Sequence, residues 1–206
     1  MTAERMLPAD NPDSIAAAVT ALKNEGVIIH PTETVYGFAA NAYSLIAIRR
    51  VDKIKKRKAK DSFLLLVRDM GMAKSLGLKF DLTALKLAER FWPGPLTIIL
   101  PAEREGALSH LYSDFSLAVR VSPDPFIKAL FKHIDFPIIS TSANISGEQV
   151  ITYPEKLQSE FGEQADLILT RGTIRGNKPS TIIHVANDII KIVREGAISE
   201  SEIYAV

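Results

Sequence analysis

Val27-Ile28-Ile29-His30-Pro31-Thr32-Glu33-Thr34-Val35-Tyr36-Gly37 passes from an unbroken apolar run into hydroxyls and an acid, and closes on glycine. An apolar, β-branched run bounded by Pro and Gly reads as a buried strand opening into a loop. A second segment repeats the pattern: Phe136-Pro137-Ile138-Ile139 leads into Ser140-Thr141-Ser142-Ala143-Asn144-Ile145-Ser146-Gly147. In sheets flanked by helices, such strand ends gather ligand-binding groups, because the rigid strand delivers a loop that supplies the donors.

Outward from these two loops, apolar runs and helical periodicities alternate. Asn11-Pro12-Asp13 opens a helix with a capping side chain, a proline suited to the first turn and an acid favoured by the dipole. Ile15, Val19 and Leu22 mark its buried stripe, and Gly26 stops it. Ser44 caps a second helix in which Leu45, Ile48, Val51 and Ile54 recur at helical spacing, which puts the basic residues on the other faces and at the C-terminal end. Asp81 caps a third, ended by Pro93-Gly94-Pro95. Further helices are predicted over Asp124 to His133 and Pro154 to Phe161. Strands are predicted over 27–30, 63–67, 96–100, 117–121, 137–140, 166–170, 181–186 and 189–193. The pattern predicts an α/β (α+β) fold, a mixed sheet flanked by helices, in one compact domain spanning residues 1–206.

Hydrophobic residues make up 47% and charged residues 24%, which excludes disordered and membrane-embedded classes. Cysteine is absent, which removes disulfides, thiolate catalysis and Cys-ligated metals. The first ten residues lack the apolar core of a secretory signal, so residence in the cytoplasm is expected and the Asn144-Ile145-Ser146 sequon carries no meaning. The net charge of +1 conceals an asymmetry. Arg49, Arg50, Lys53, Lys55, Lys56, Arg57, Lys58 and Lys60 face a single acid, Asp52, in one short window, and the rest of the chain is acidic. A concentrated positive patch attracts phosphates of a nucleotide or of a nucleic acid, although a basic run is also an ordinary solvated helix face.

Other nucleotide and hydrolase signatures are missing. Gly172-Thr173-Ile174-Arg175-Gly176-Asn177-Lys178 has the wrong glycine-to-lysine spacing for a phosphate loop and reads as a flexible, ligand-facing loop. No dinucleotide fingerprint, His-Glu-x-x-His or Gly-x-Ser-x-Gly occurs, and His30, His110, His133 and His184 show no ligand spacing, so no metal site is expected on the protein. Arg120, flanked by Val119 and Val121 in a predicted strand, must reach solvent or meet a partner such as a ligand carboxylate. Thr32, Thr34, Ser142 and Asn144 are equally suited to satisfying the backbone of a turn, and Tyr36 reads as packing.

Pro31-Thr32-Glu33-Thr34-Val35-Tyr36-Gly37, Lys55-x-Arg57, Pro93-Gly94-Pro95-Leu96-Thr97, Ala118-Val119-Arg120-Val121, Ser142-Ala143-Asn144-x-Ser146-Gly147, Pro179-Ser180-Thr181 and Arg194-Glu195-Gly196 together resemble the YrdC/YciO-like family over about residues 10 to 200. The resemblance implies a YrdC-like fold and threonylcarbamoyl-AMP synthase activity. L-threonine, bicarbonate and ATP would give threonylcarbamoyl-adenylate and diphosphate, for the threonylcarbamoyladenosine modification of tRNA. It implies Lys55, Arg57, Ser142 and Asn144 as catalytic and ATP-binding residues, Arg194 as a further ATP contact, and Thr32, Arg120, Ser140 and Ser180 as the threonine site. Mg2+ is expected with ATP, held by phosphates and water. Transfer RNA or double-stranded RNA, and the transferase proteins that consume the adenylate, are the implied partners. Lys58 and Ser62-Phe63 where synthases carry prolines, Phe38 for leucine and His184 for aspartate resemble the YciO branch. Two alternatives stay open: an RNA-binding module without catalysis, and carbamoyl-adenylate chemistry on another acceptor, as in the related domain of hydrogenase maturation proteins.

Overall fold

A computed structural model describes residues 6–57, 63–104, 106–174 and 178–206. The expected differences at Lys58 and Ser62, and the Arg175–Asn177 part of the glycine-rich loop, lie outside the described residues. The chain folds as two compact units, each assembled from two separate stretches: residues 6–57 with 124–174, and 63–123 with 178–206.

In the first unit, strands β1 (Met6–Pro8), β2 (Ile28–His30), β3 (Gly37–Asn41), β7 (Ile138–Ser142) and β8 (Leu167–Thr170) lie in the order β1-β8-β2-β3-β7. β1 and β2 run parallel to β8, whereas β3 is antiparallel to both β2 and β7. Helices α1 (Pro12–Lys23), α2 (Leu45–Lys55), α5 (Pro125–Leu130) and α6 (Pro154–Phe161) accompany them. Phe38 and Phe161 meet edge to face in the core at 5.0 Å between ring centroids.

The predicted caps hold. Asn11 accepts from the Asp13 amide, and Ser44 from the Ala47 amide, each supplying a partner that the first helical turn lacks. Two predicted stripes are displaced. In α1 the innermost residues are Ser14, Ala18 and Leu22, with Ile15 and Val19 only half-buried, because small side chains occupy the closest approach. In α2 Leu45 is exposed, and the buried set is Ala47, Ile48, Val51, Ile54 and, against the expected orientation of the basic residues, Lys55.

The second unit holds β4 (Leu64–Leu66), β5 (Leu96–Pro101), β6 (Ser116–Arg120), β9 (Thr181–Ala186) and β10 (Ile189–Arg194) in the order β4-β6-β5-β9-β10. β4 pairs parallel with β6 and β5 with β9, while β5–β6 and β9–β10 are antiparallel. Helices α3 (Met70–Ser75), α4 (Leu82–Phe91) and α7 (Glu200–Tyr204) complete it. The third predicted helix is therefore α4, preceded by the short α3. Asp81 caps it as expected, and its end is marked by a cis Trp92–Pro93 bond. The architecture is the mixed α/β class expected, with strands β1 and β3 and helices α3 and α7 added.

Candidate active site

β7 carries Ser140 and Ser142 on one face, two residues apart, and the chain then turns through Asn144. The Ser142 hydroxyl donates to Asn144 Oδ1 at 2.5 Å, and the Asn144 amide nitrogen donates to the carbonyls of Ile145 and Glu148 at 2.9 and 2.7 Å. Asn144 therefore shapes its own loop while turning its oxygen toward Ser142.

Lys55, the last residue of α2, enters this loop from the opposite side. Its ammonium donates to Ser142 O at 2.5 Å, Asn144 O at 2.8 Å and Asn144 Oδ1 at 3.3 Å, and its own carbonyl accepts from the Ser146 amide at 2.9 Å. With only 3% of its surface exposed, Lys55 is a buried cation whose desolvation is offset by three oxygens. The Phe38 ring adds a cation–π contact, its centroid 5.7 Å from Nζ. This contact gives a physical role to one of the residues in which the sequence departs from the family pattern.

α2 closes with Lys56 in the left-handed region and the Arg57 amide bonded to Asp52 O, a turn that fixes where the helix ends. Arg57 lies past the turn, its guanidinium 4.0 Å from the Asp52 carboxylate. The structure thus joins Lys55, Ser142 and Asn144 directly, while Arg57 follows Lys55 in the chain and meets Asp52.

Thr32 is a buried turn-former. Its hydroxyl donates to Val35 O at 2.7 Å and accepts from the Thr34 and Val35 amides. Ser140 is buried on β7. A Cβ at Gly37 would lie 3.5 Å from its hydroxyl and 3.1 Å from Thr141 O, so glycine keeps that face open. Tyr36, read from sequence as packing, is fully buried but also makes specific bonds: its hydroxyl donates to Gly172 O at 2.6 Å and accepts from the Arg171 amide at 3.0 Å. Sequence reading missed this role because the partners lie far along the chain.

The second unit holds the remaining candidates. Arg120, at the end of β6, is 3% exposed, so of the two expectations for it the solvent-facing one fails. Ser180 is buried with its hydroxyl 3.0 Å from Thr97 Oγ1, and Arg194 reaches back from β10 to donate to Ser180 O at 2.8 Å and to Ser180 Oγ at 3.3 Å. Burial pulls the Arg194 guanidinium below its ordinary value, yet an arginine stays charged. Beneath them Thr181 accepts from the Gly196 and Ile198 amides. Among the described residues no group of three His, Asp or Glu side chains is placed to hold a metal, and no helix is long and apolar enough to cross a membrane.

The buried lysine at a Ser-x-Asn loop is found in a chain with close relatives. A family model named for Sua5, YciO and YrdC, and described as telomere recombination, matches residues 20–196. A Coxiella burnetii protein named threonylcarbamoyl-AMP synthase is 35% identical over 78% of this chain and 86% of its own. The crystal structure of E. coli YciO has a TM-score of 0.85 at 28% identity, covering 96% of this chain and 97% of its own. P. abyssi Sua5 complexed with L-threonine has a TM-score of 0.84 at 28% identity over 93% of this chain, which spans 56% of that longer protein. A match that runs from the last turn of α1 to just after β10, and takes in Lys55, the β7 loop, Ser180 and Arg194, places this chain in the Sua5/YciO/YrdC family.

Proposed function

We propose that the chain is a threonylcarbamoyl-AMP synthase that supplies threonylcarbamoyl-adenylate for the modification of tRNA. The observation that carries the reading is the Lys55 ammonium fixed on Ser142 O, Asn144 O and Asn144 Oδ1, in a chain whose relatives bear that name. The reaction needs no protein nucleophile. The threonine nitrogen bonds to the bicarbonate carbon with loss of water, and a carbamate oxygen then attacks the α-phosphorus of ATP as the bond to diphosphate breaks. Alignment and a preorganised positive field are what the protein must supply. Lys55 provides a cation that is already desolvated, and Ser142 and Asn144, whose side chains bond each other in this structure, are assigned to phosphate or ribose. Arg57 is assigned to the phosphate and carbonate end, and Arg194 to ATP. Thr32, Arg120, Ser140 and Ser180 are assigned to L-threonine, which P. abyssi Sua5 binds. The oxygens of the β7 loop hold the Lys55 ammonium, so Mg2+ is assigned to the nucleotide phosphates and water.

A second reading, double-stranded RNA binding, draws on one observation. Arg49, Lys53 and Lys56 of the α2 segment are exposed, while Lys55 turns inward. Carbamoyl-adenylate chemistry on another acceptor has no observation that favours it. Diphosphate release from ATP with Mg2+ and bicarbonate, compared across amino acids, separates the readings. The synthase reading expects release that depends on L-threonine and is lost in Lys55→Ala and Arg57→Ala. RNA binding with ATP ignored would overturn it.

A further inference from the structure

The loop that carries Ser142 and Asn144 is held on one side by Lys55. Its other side is tied into a ring of hydrogen bonds that the proposed chemistry does not use. Ala143, between the two candidate residues, donates its amide to Tyr36 O at 2.8 Å. The Ala143 carbonyl accepts from the Ile151 amide at 3.4 Å, and the neighbouring Thr152 carbonyl accepts from the Ile174 amide at 2.9 Å. Two residues before Ile174, Gly172 accepts from the Tyr36 hydroxyl, which closes the ring on the residue where it began.

The ring has an electrostatic anchor. Arg171, whose amide donates to the Tyr36 hydroxyl, places its guanidinium 2.7 Å from Asp124 Oδ2 and 3.0 Å from Asp10 Oδ1. Asp124 is buried and caps α5 through the Phe126 amide, so this end of the ring is fixed to a helix. Hydrogen bonding to Asp124 holds the Arg171 guanidinium above its ordinary value.

We infer that Tyr36 is a positioning residue for the Ser142–Asn144 loop: its carbonyl sets the Ala143 amide, and its hydroxyl fastens the Gly172–Ile174 segment that backs the same loop. The inference rests on the synthase reading for its kinetic consequence and on geometry alone for its structural one. A loop held from both sides presents Ser142 and Asn144 in one arrangement, and a shift of about 1 Å at such groups costs on the order of a hundredfold in rate. Loss of one hydroxyl, with the ring and the carbonyl kept, loosens the loop by less than that.

Two measurements on the full chain test the inference, with Tyr36→Phe and Asp124→Asn as variants; the asparagine keeps an oxygen for the Phe126 amide. In hydrogen exchange, the amides of Ala143, Asn144 and Ser146 are expected to exchange faster in both variants, while those of β2 and β8 keep wild-type rates. In diphosphate release, kcat is expected to fall about tenfold in Tyr36→Phe with the KM for L-threonine held. Unchanged exchange at 143–146 in both variants, or acceleration spread equally over β2 and β8, would overturn the inference. A wild-type chain that releases no diphosphate with threonine defeats the synthase reading instead, and the exchange result still decides the positioning role.

Discussion

Lys55 shows what a single residue adds beyond its place in the sequence pattern. Its neighbours Lys53 and Lys56 are exposed, and only the end of α2 turns this lysine inward onto three oxygens. Periodicity placed Lys55 with the basic face, because nothing local reports that the carbonyls awaiting it lie about ninety residues away. Ser142 and Asn144 were legible through the family resemblance of their motif, whereas the role of the Tyr36 hydroxyl was not, its partners being 135 and 136 positions away. Replacing Lys55 by alanine orphans buried oxygens, at about 1–3 kcal/mol each, and removes the fixed charge. Synthase turnover is expected to fall at least about a hundredfold, with a lower denaturant midpoint; turnover near wild type would contradict the role. At Gly196 a Cβ would lie 2.2 Å from Pro179 O and 2.6 Å from the Ser180 carbonyl carbon, both backbone. Gly196→Ala is expected to destabilise the fold by about 1–3 kcal/mol, measured by urea unfolding.

At the scale of elements, sequence signals worked wherever local chemistry decides the outcome. Asn11, Ser44 and Asp81 cap the helices they were expected to cap, and β9 spans Thr181–Ala186 as predicted. β3 escaped because Gly-Phe-Ala-Ala-Asn has no β-branched residue; pairing with β2 on one side and β7 on the other makes it a strand. α3 and α7 are too short for periodicity to show. Ser44→Ala removes the oxygen that accepts from the Ala47 amide and the donor to Glu25, and is expected to cost about 1 kcal/mol in a urea titration. The caps of α3 and α7 give a pH dependence. The Met72 amide, then Arg68, holds the Asp69 carboxyl below its ordinary value, and the Ser199 hydroxyl and amide do the same for Glu202. A carboxyl lowered by folding stabilises the fold above its unfolded value, near pH 4, and that contribution fades as pH falls through the lowered value. The thermal midpoint is therefore expected to drop below about pH 4, and less steeply in Asp69→Asn, where an oxygen still serves the Met72 amide. Identical profiles for the two proteins would contradict this origin.

Across the whole molecule, the net charge of +1 is less informative than its distribution, since the basic window lies in and just after α2. One of its lysines is drawn into the candidate site, while Arg49 and Lys53 face solvent. Reversing both exposed charges, in Arg49→Glu with Lys53→Glu, is expected to weaken any salt-sensitive retention of RNA and to leave threonine-dependent diphosphate release at its wild-type rate. Loss of release in that variant would mean the outer face serves the chemistry. The role proposed for the buried Lys55 in adenylate formation is tested most directly by the product itself. Incubation with ATP, Mg2+, L-threonine and carbon-13-labelled bicarbonate, read by mass spectrometry, is predicted to yield threonylcarbamoyl-adenylate carrying the label with the native chain and none with Lys55→Ala. Labelled product in equal amount from both, or its absence from the native chain, would contradict the account.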